Sequence, residues 1–257
     1  MGRFDDAEVD DILQMVPHVE YALAYGSALT DDKAAMADLL LAVKDPHEWH
    51  IRNLQNNPRH YALAPRLAGP TAITYLQSKG AGLYYNAYVP WRPNRLIKYG
   101  VISTDAMQAD LLHWDRLYVA GRMHKPVQHL RAHAKLDAAA HTNRHSAVAA
   151  SLLLQPARFD SDRLFGTLCG LSYAGDPRQG VVEQRKPEAL ARMHLAGLES
   201  EYAPHLASVA ALRRDGTTHF ELPTSLDARL PLVLALPSTA QLETLRELAG
   251  DRRVCQP

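Results

Sequence analysis

The chain has 257 residues, 47% of them hydrophobic, and its 28 Lys and Arg are balanced by 28 Asp and Glu. That length suits one large domain or two small ones, and a formal charge of zero supplies no global basic field for nucleic acid. Two cysteines, Cys169 and Cys255, are too few for a disulfide scaffold, and the absence of any run of about 18 apolar residues predicts no transmembrane helix.

Residues 4–16 place Phe4, Val9, Ile12, Leu13 and Val16 near helical spacing, and Pro17 ends that helix. The acidic start, MGRFDDAEVDD, resembles neither a secretory signal nor an Arg-rich transit peptide. The expected setting is therefore a bacterial cytoplasm, or, for a processed chain, the mitochondrial matrix. A strand then runs to Tyr25 and stops on Gly26-Ser27. MADLLLAV, at 36–43, reads as a buried strand with one carboxylate, Asp38, set into it. Burying an ionised carboxylate is costly unless it is paired or binds a cation. Asp45-Pro46-His47-Glu48 is a helix start, with Asp45 as cap and Pro46 in the first position, and Asn57-Pro58 ends that helix. Residues 69–79 form another short helix. GLYYNAYV and RLIKYGVIS are strands joined by PWRPN, which is rich in turn residues.

From Asp105 the texture turns helical. DAMQADLLHWDRLYVAG predicts one helix with Met107, Leu111, Trp114 and Tyr118 on a shared face. Helices follow at 136–154, at 161–171 behind a Ser161 cap, and at 187–202. HFEL and LPLVLALP predict short strands, and Ser238 opens a last helix with Gln241 completing a capping box. No internal repeat or low-complexity tract is present. The expected organisation is an α/β region at 1–125 followed by a mainly helical region at 126–257.

A strand, Gly-Ser, and a second strand bearing an acid form a phosphate- and metal-handling pattern. Glycine lets backbone N–H groups approach a phosphate, a serine hydroxyl adds a hydrogen bond, and an acid on the next strand holds Mg²⁺ against triphosphate oxygens. This is the core signature of nucleotidyltransferase folds resembling DNA polymerase β. Those folds usually carry a second acid two residues after the first. Here that position is Leu40, and nothing in the spacing of Asp45 or Asp110 selects either as a replacement. Two His pairs at i,i+4, His129 with His133 and His141 with His145, have the spacing of metal ligands on a helix. No Glu follows either first His, so a surface helix is the expected reading.

YGS, MADLLLAV, EWHIRNLQNNPRHY, AGLYYNAYV, LIKYGVIS, DLLHWDRLYVAGRMHKPV and GLSYAGDPR occur in this order. Together they resemble the mitochondrial translocator assembly and maintenance family, whose members are phosphatidate cytidylyltransferases. The resemblance runs from about residue 24 to about residue 202. It implies a nucleotidyltransferase domain followed by a mainly helical, winged-helix-like one. It also implies transfer of CMP from CTP to phosphatidic acid with Mg²⁺, at a membrane surface and without nucleic acid. By that resemblance Tyr25, Gly26 and Ser27 line the nucleotide site, with Gly26 and Ser27 cradling phosphate, and Asp38 holds the metal. Lys98, Arg122, Lys125, Asp176 and Arg178 match other blocks of the family.

From the residues themselves, Lys98 is either a neutraliser of triphosphate charge or a snorkelled surface lysine. Arg122 and Lys125 either cap helix carbonyls or reach the lipid phosphate, and Asp176 is either functional or part of a Gly-Asp-Pro turn. Asn86 is a candidate nucleotide contact. Two other functions fit the same residues: a nucleotidyltransferase with a soluble acceptor, and a non-catalytic nucleotide-binding scaffold.

Overall fold

The computed structural model describes residues 4–26, 29, 36–174, 186–216 and 218–241. They divide into two compact units, Met1–Gln108 with Val127–Asp137, and Ala109–Pro126 with Ala138–Pro257. The expected boundary at 125/126 is linear, whereas this division interleaves: 109–126 cluster with the second unit and 127–137 with the first.

The first unit is built on a five-stranded mixed sheet in the order β3-β4-β2-β1-β5. Helix α1 (Asp6–Gln14) opens it. Asp5 accepts from the Glu8 backbone N–H at its start, and the Glu8 carboxylate reaches back to the Asp5 N–H, a complete capping box. Strand β1 (Tyr21–Tyr25) pairs antiparallel with β2 (Met36–Val43). Asp45 caps α2 (Pro46–Asn56) as expected, accepting from the His47 and Glu48 N–H groups. A 3₁₀ turn at Pro58–His60 follows. Helix α3 (Leu63–Lys79) begins earlier than expected and is two helical pieces joined at Gly69 (φ 82°), with Pro70 opening the second.

Strand β3 (Tyr84–Arg92) turns through Pro93-Asn94 into β4 (Arg95–Ser103), and β4 runs parallel to β2 across a crossover containing α2 and α3. Strand β5 (Gln128–Arg131) adds to β1. It corrects the helical reading of that segment: His129 lies on a strand and His133 precedes the next helix, so this pair shares no helix face. Leu39, Leu41, Ala24, Ile97, Tyr99, Val101 and Trp49 form the core on one side of the sheet.

That side also holds a buried polar network drawn from WHIRNLQNNPRHY. Asn53 Nδ2 donates to the hydroxyls of Tyr61 (3.0 Å) and Tyr99 (2.9 Å). His50 Nδ1 shares a 2.8 Å hydrogen bond with Tyr61, and His60 Nδ1 shares one of 2.8 Å with Tyr99. Asn57 Nδ2 donates to Asn53 Oδ1 and to the Met15 carbonyl. These links tie α2, the 3₁₀ turn and β4 together at fixed distances, because each buried polar group left unpaired costs about 1–3 kcal/mol.

In the second unit the expected single helix across 105–121 is broken. Helix α4 (Thr104–His113), which begins in the first unit, ends where Trp114 enters the left-handed region (φ 56°); Leu117 follows it there (φ 52°), and α5 (Val119–Arg122) is one turn. The break is stabilised by Asp110. Its buried carboxylate accepts from the backbone N–H groups of Arg116 (2.9 Å), Val119 (2.8 Å) and Ala120 (3.0 Å). Trp114 Nε1 donates to Asn143 Oδ1 at 2.7 Å, and His124 Nε2 meets the same oxygen at 3.1 Å.

Asn143 sits on α6 (Ala134–Leu153), the expected Ala-rich helix. Strand β6 (Arg158–Asp160) leads to α7 (Ser161–Ala174), whose cap is Asp160 rather than Ser161: Asp160 Oδ1 accepts from the Arg163 N–H, while the Ser161 hydroxyl donates to Glu199. Helices α8 (Lys186–Met193) and α9 (Leu195–Ala207) divide the expected 187–202 helix, and β7 (Arg213–Asp215) and β8 (His219–Glu221) complete a sheet ordered β6-β8-β7.

LPLVLALP is not a strand. It belongs mostly to α10 (Leu226–Leu234), which buries Leu232 and exposes Leu226, Leu230 and Leu234 at successive turns. Residues 238–241 start the last helix as expected. Gln241 does not close a capping box, since its amide donates to the Leu234 and Leu236 carbonyls.

Burial holds the imidazoles of His50 and His124 down at about 4. Both are therefore neutral in the native state and free to protonate at 6.5 in the unfolded one. Their contribution to stability is complete above 6.5 and is lost as pH falls toward 4. We expect ring-proton NMR signals of both histidines to stay in the neutral position down to about pH 5, while the urea midpoint falls across the same interval. Titration near 6.5 would contradict their burial.

Candidate active site

The cleft follows from strand register. Tyr25 pairs with Asp38, and Asp38 pairs with Lys98. Residues directly opposite each other share a face of the sheet, so all three project from the side opposite the Tyr99 network. Lys98 Nζ lies 3.2 Å from Asp38 Oδ1, and both side chains are about one-third exposed or less, at 31% and 26%. Asp38 Oδ1 is shielded from solvent and has no hydrogen-bond partner in good geometry; the ammonium faces it as an ion pair only. Gly26 ends β1 with φ 83°, a left-handed conformation that favours glycine. A Cβ there would stand 3.2 Å from Asp38 Oδ2. The glycine therefore keeps backbone beside the carboxylate where a side chain would block it.

Tyr85, absent from the expected set, completes the cleft. It pairs with Gly100, two residues along β4 from Lys98 and hence on the same face. Its hydroxyl lies 3.1 Å from that of Tyr25, and its ring centroid lies 4.7 Å from Lys98 Nζ. The legible signal was Gly100 inside a strand, since such glycines mark close approach by another group.

Asn86 is not brought to this cleft. It pairs with Tyr99, is buried, and occupies the opposite face. Ser27 lies outside the described residues, as do Asp176 and Arg178. Arg122 and Lys125 belong to the second unit. Arg122 lies over the Tyr118 ring at 3.8 Å and donates to the Tyr118 hydroxyl (2.8 Å) and carbonyl (3.4 Å), which is the helix-end contact. Neither spare acid is free: Asp45 caps α2 and Asp110 holds three backbone N–H groups.

Among the described residues no group of three His, Cys, Asp or Glu is arranged to hold a metal ion. The donor set at Asp38 fits Mg²⁺ in its usual nucleotide mode, in which one or two protein carboxylates share the ion with substrate phosphates. A cavity of about 330 Å³ lined by Pro17, Val43, Lys44, Asp45 and Trp49 lies at the far end of β2 and takes no part in this cleft.

One face of the mixed sheet thus presents a carboxylate, an ammonium and a left-handed glycine together. The family model described as "Phosphatidate cytidylyltransferase, mitochondrial" matches residues 9–254. Proteins of that name from Danio rerio, Xenopus laevis and Homo sapiens are 39%, 38% and 36% identical over 88%, 84% and 86% of the chain. The matches span 70%, 65% and 51% of those relatives' own lengths. The chain belongs to the mitochondrial phosphatidate cytidylyltransferase family.

Two outcomes test this geometry. Gly26→Val, which adds a Cβ 3.2 Å from Asp38 Oδ2 at a positive φ, should strain the cleft by about 1–3 kcal/mol and abolish turnover in a protein that still folds by circular dichroism. Asp110→Asn should lower unfolding free energy by about 2–4 kcal/mol in urea titrations and leave the CTP affinity of the folded fraction unchanged. A CTP-binding defect in a fully stable Asp110→Asn protein would make it a site acid.

Proposed function

We propose that the chain transfers CMP from CTP to phosphatidic acid, giving CDP-diacylglycerol and pyrophosphate. The supporting observation is the Asp38–Lys98 pair beside Gly26, in a chain whose relatives are named for this reaction. An oxygen of the phosphatidate headgroup attacks the α-phosphorus of CTP, a new P–O bond forms, and the bond to the β-phosphate oxygen breaks to release pyrophosphate. Charge builds on the bridging and non-bridging oxygens as that happens, so positioning and electrostatics carry the catalysis.

In this reading Gly26 admits the triphosphate close to the backbone, with Ser27 adding a hydroxyl donor. Lys98 supplies positive charge to the phosphates, and Asp38 holds Mg²⁺, which neutralises phosphate charge when bound. Tyr25 walls the nucleotide side of the cleft. Arg122, Lys125, Asp176 and Arg178 are carried over as contacts to lipid or phosphate. Asn86 supports the cleft from the opposite face of the sheet rather than touching the nucleotide.

The acceptor is a bilayer lipid, so the protein works as a peripheral enzyme. Among the described residues no helix is long and apolar enough to cross a membrane. The relatives' names support a mitochondrial setting, and in this reading the product feeds phosphatidylglycerol and cardiolipin synthesis. The N-terminal nucleotidyltransferase and C-terminal winged-helix-like domains belong to the same proposal.

The test is Asp38→Asn, an isosteric change that removes the charge. CDP-diacylglycerol formation from CTP, Mg²⁺ and phosphatidate vesicles should fall by ~10²-fold or more with the melting temperature retained. Wild-type turnover in the folded variant would overturn the assignment.

A further inference from the structure

We propose that Tyr85 is a positioning residue that aims Lys98, and that Gly100 exists to seat it. This rests on the nucleotide-handling reading of the cleft. The Tyr85 ring is held by contacts on several sides. Beneath it lies Gly100, where a Cβ would stand 2.6 Å from Tyr85 Cε1, closer than real Cβ contacts come, and a tight 3.0 Å from both Tyr85 Cζ and Leu83 Cδ2. At its edge the hydroxyl meets that of Tyr25, the residue before the left-handed Gly26. Near it sits the Lys98 ammonium, 4.7 Å from the ring centroid.

A lysine on a flexible four-carbon stem, opposed only by the Asp38 carboxylate at 3.2 Å, would be held by a point-charge attraction with little directional control. The aromatic face adds a second attraction that restricts the arc of the ammonium. That face uses none of the three N–H donors in a directed bond, so they remain available to anionic oxygens. A carboxylate in the same place would compete with phosphate for those donors. The Tyr25 hydroxyl contact further ties this arrangement to the strand end that presents Gly26. Gly100 is the middle residue of YGV on β4, a buried strand position where glycine is otherwise unfavourable. The Tyr85 ring, with the Leu83 side chain beside it, leaves no room for a Cβ there.

The experiment is a set of variants read by CTP calorimetry and by steady-state CDP-diacylglycerol formation: Tyr85→Phe, Tyr85→Leu, Gly100→Ala, Lys98→Met and the Tyr85→Leu/Lys98→Met double variant. Tyr85→Phe keeps the ring and should stay within about 3-fold of wild type. Tyr85→Leu should weaken CTP binding and kcat/KM for CTP by roughly 10-fold, with KM for phosphatidate unchanged. Gly100→Ala should reproduce that loss by lifting the ring, although no atom of Gly100 touches Lys98. In the Lys98→Met background Tyr85→Leu should cost less than about 2-fold further, because the group it positions is gone.

Fully multiplicative losses in the double variant, or a Tyr85→Leu protein that binds CTP as tightly as wild type, would overturn the proposal. If Gly100→Ala fails to fold, the Tyr85–Lys98 cycle decides alone. Calorimetry needs no acceptor: CTP binding with this variant pattern but no lipid product would sink the acceptor reading and leave the proposal standing. CTP binding indifferent to Lys98 would sink the proposal.

Discussion

The pairing of Asp38 with Lys98 across the parallel β2–β4 ladder is the constraint on which the cleft depends. A slip of one residue in either strand would turn its side chain, Asp38 or Lys98, to the other face and bring Leu39 or Tyr99 into its place. What prevents the slip is the core on that other face. Leu39, Leu41, Ile97, Tyr99 and Val101 are buried together there, and exposing them would cost far more than any ion pair returns. The partly exposed Asp38–Lys98 pair thus contributes little to holding the fold. The fold holds the pair.

The two faces of the sheet divide the work. WHIRNLQNNPRHY, the most polar of the family-like blocks, supplies no group to the cleft; it builds the Asn53–Tyr61–Tyr99–His60 network on the core side. That network fixes α2 against β4, and so fixes the strand from which Lys98 projects. The Asn53 amide and the Tyr61 and Tyr99 hydroxyls bond to one another, which offsets the cost of burying them. The cleft face is sparser: an unsatisfied carboxylate oxygen, an ammonium, a left-handed glycine and two tyrosine hydroxyls.

Much of this was legible in the chain. The Asp45-Pro46 start, the Asn57-Pro58 stop and the strands around Asp38 and Lys98 rest on local capping, turn chemistry and apolar runs, and all are present. The failures have non-local causes. QHLR is too short and polar to announce a strand, and it becomes β5 only because β1 offers an edge. LPLVLALP is a continuous apolar run with no period, for which strand and helix cannot be separated locally; it forms α10 around buried Leu232. The helix through Trp114 breaks because Asp110 draws three backbone N–H groups onto one carboxylate, a tertiary demand that spacing does not reveal. The β3–β4 register, which spacing does not reveal, turns Asn86 to the Tyr99 face and sets Tyr85 beside Lys98.

The reaction proposed for this cleft carries CMP, with the α-phosphate of CTP, onto a phospholipid. The most direct measurement supplies the protein with CTP labelled at either the α- or the γ-phosphorus, together with Mg²⁺ and phosphatidate vesicles, and follows both labels. The α-label should enter a chloroform-soluble product with the mobility of CDP-diacylglycerol, while the γ-label leaves as pyrophosphate in equal amount. A γ-label found in the lipid, or an α-label released only as free nucleotide, would contradict it.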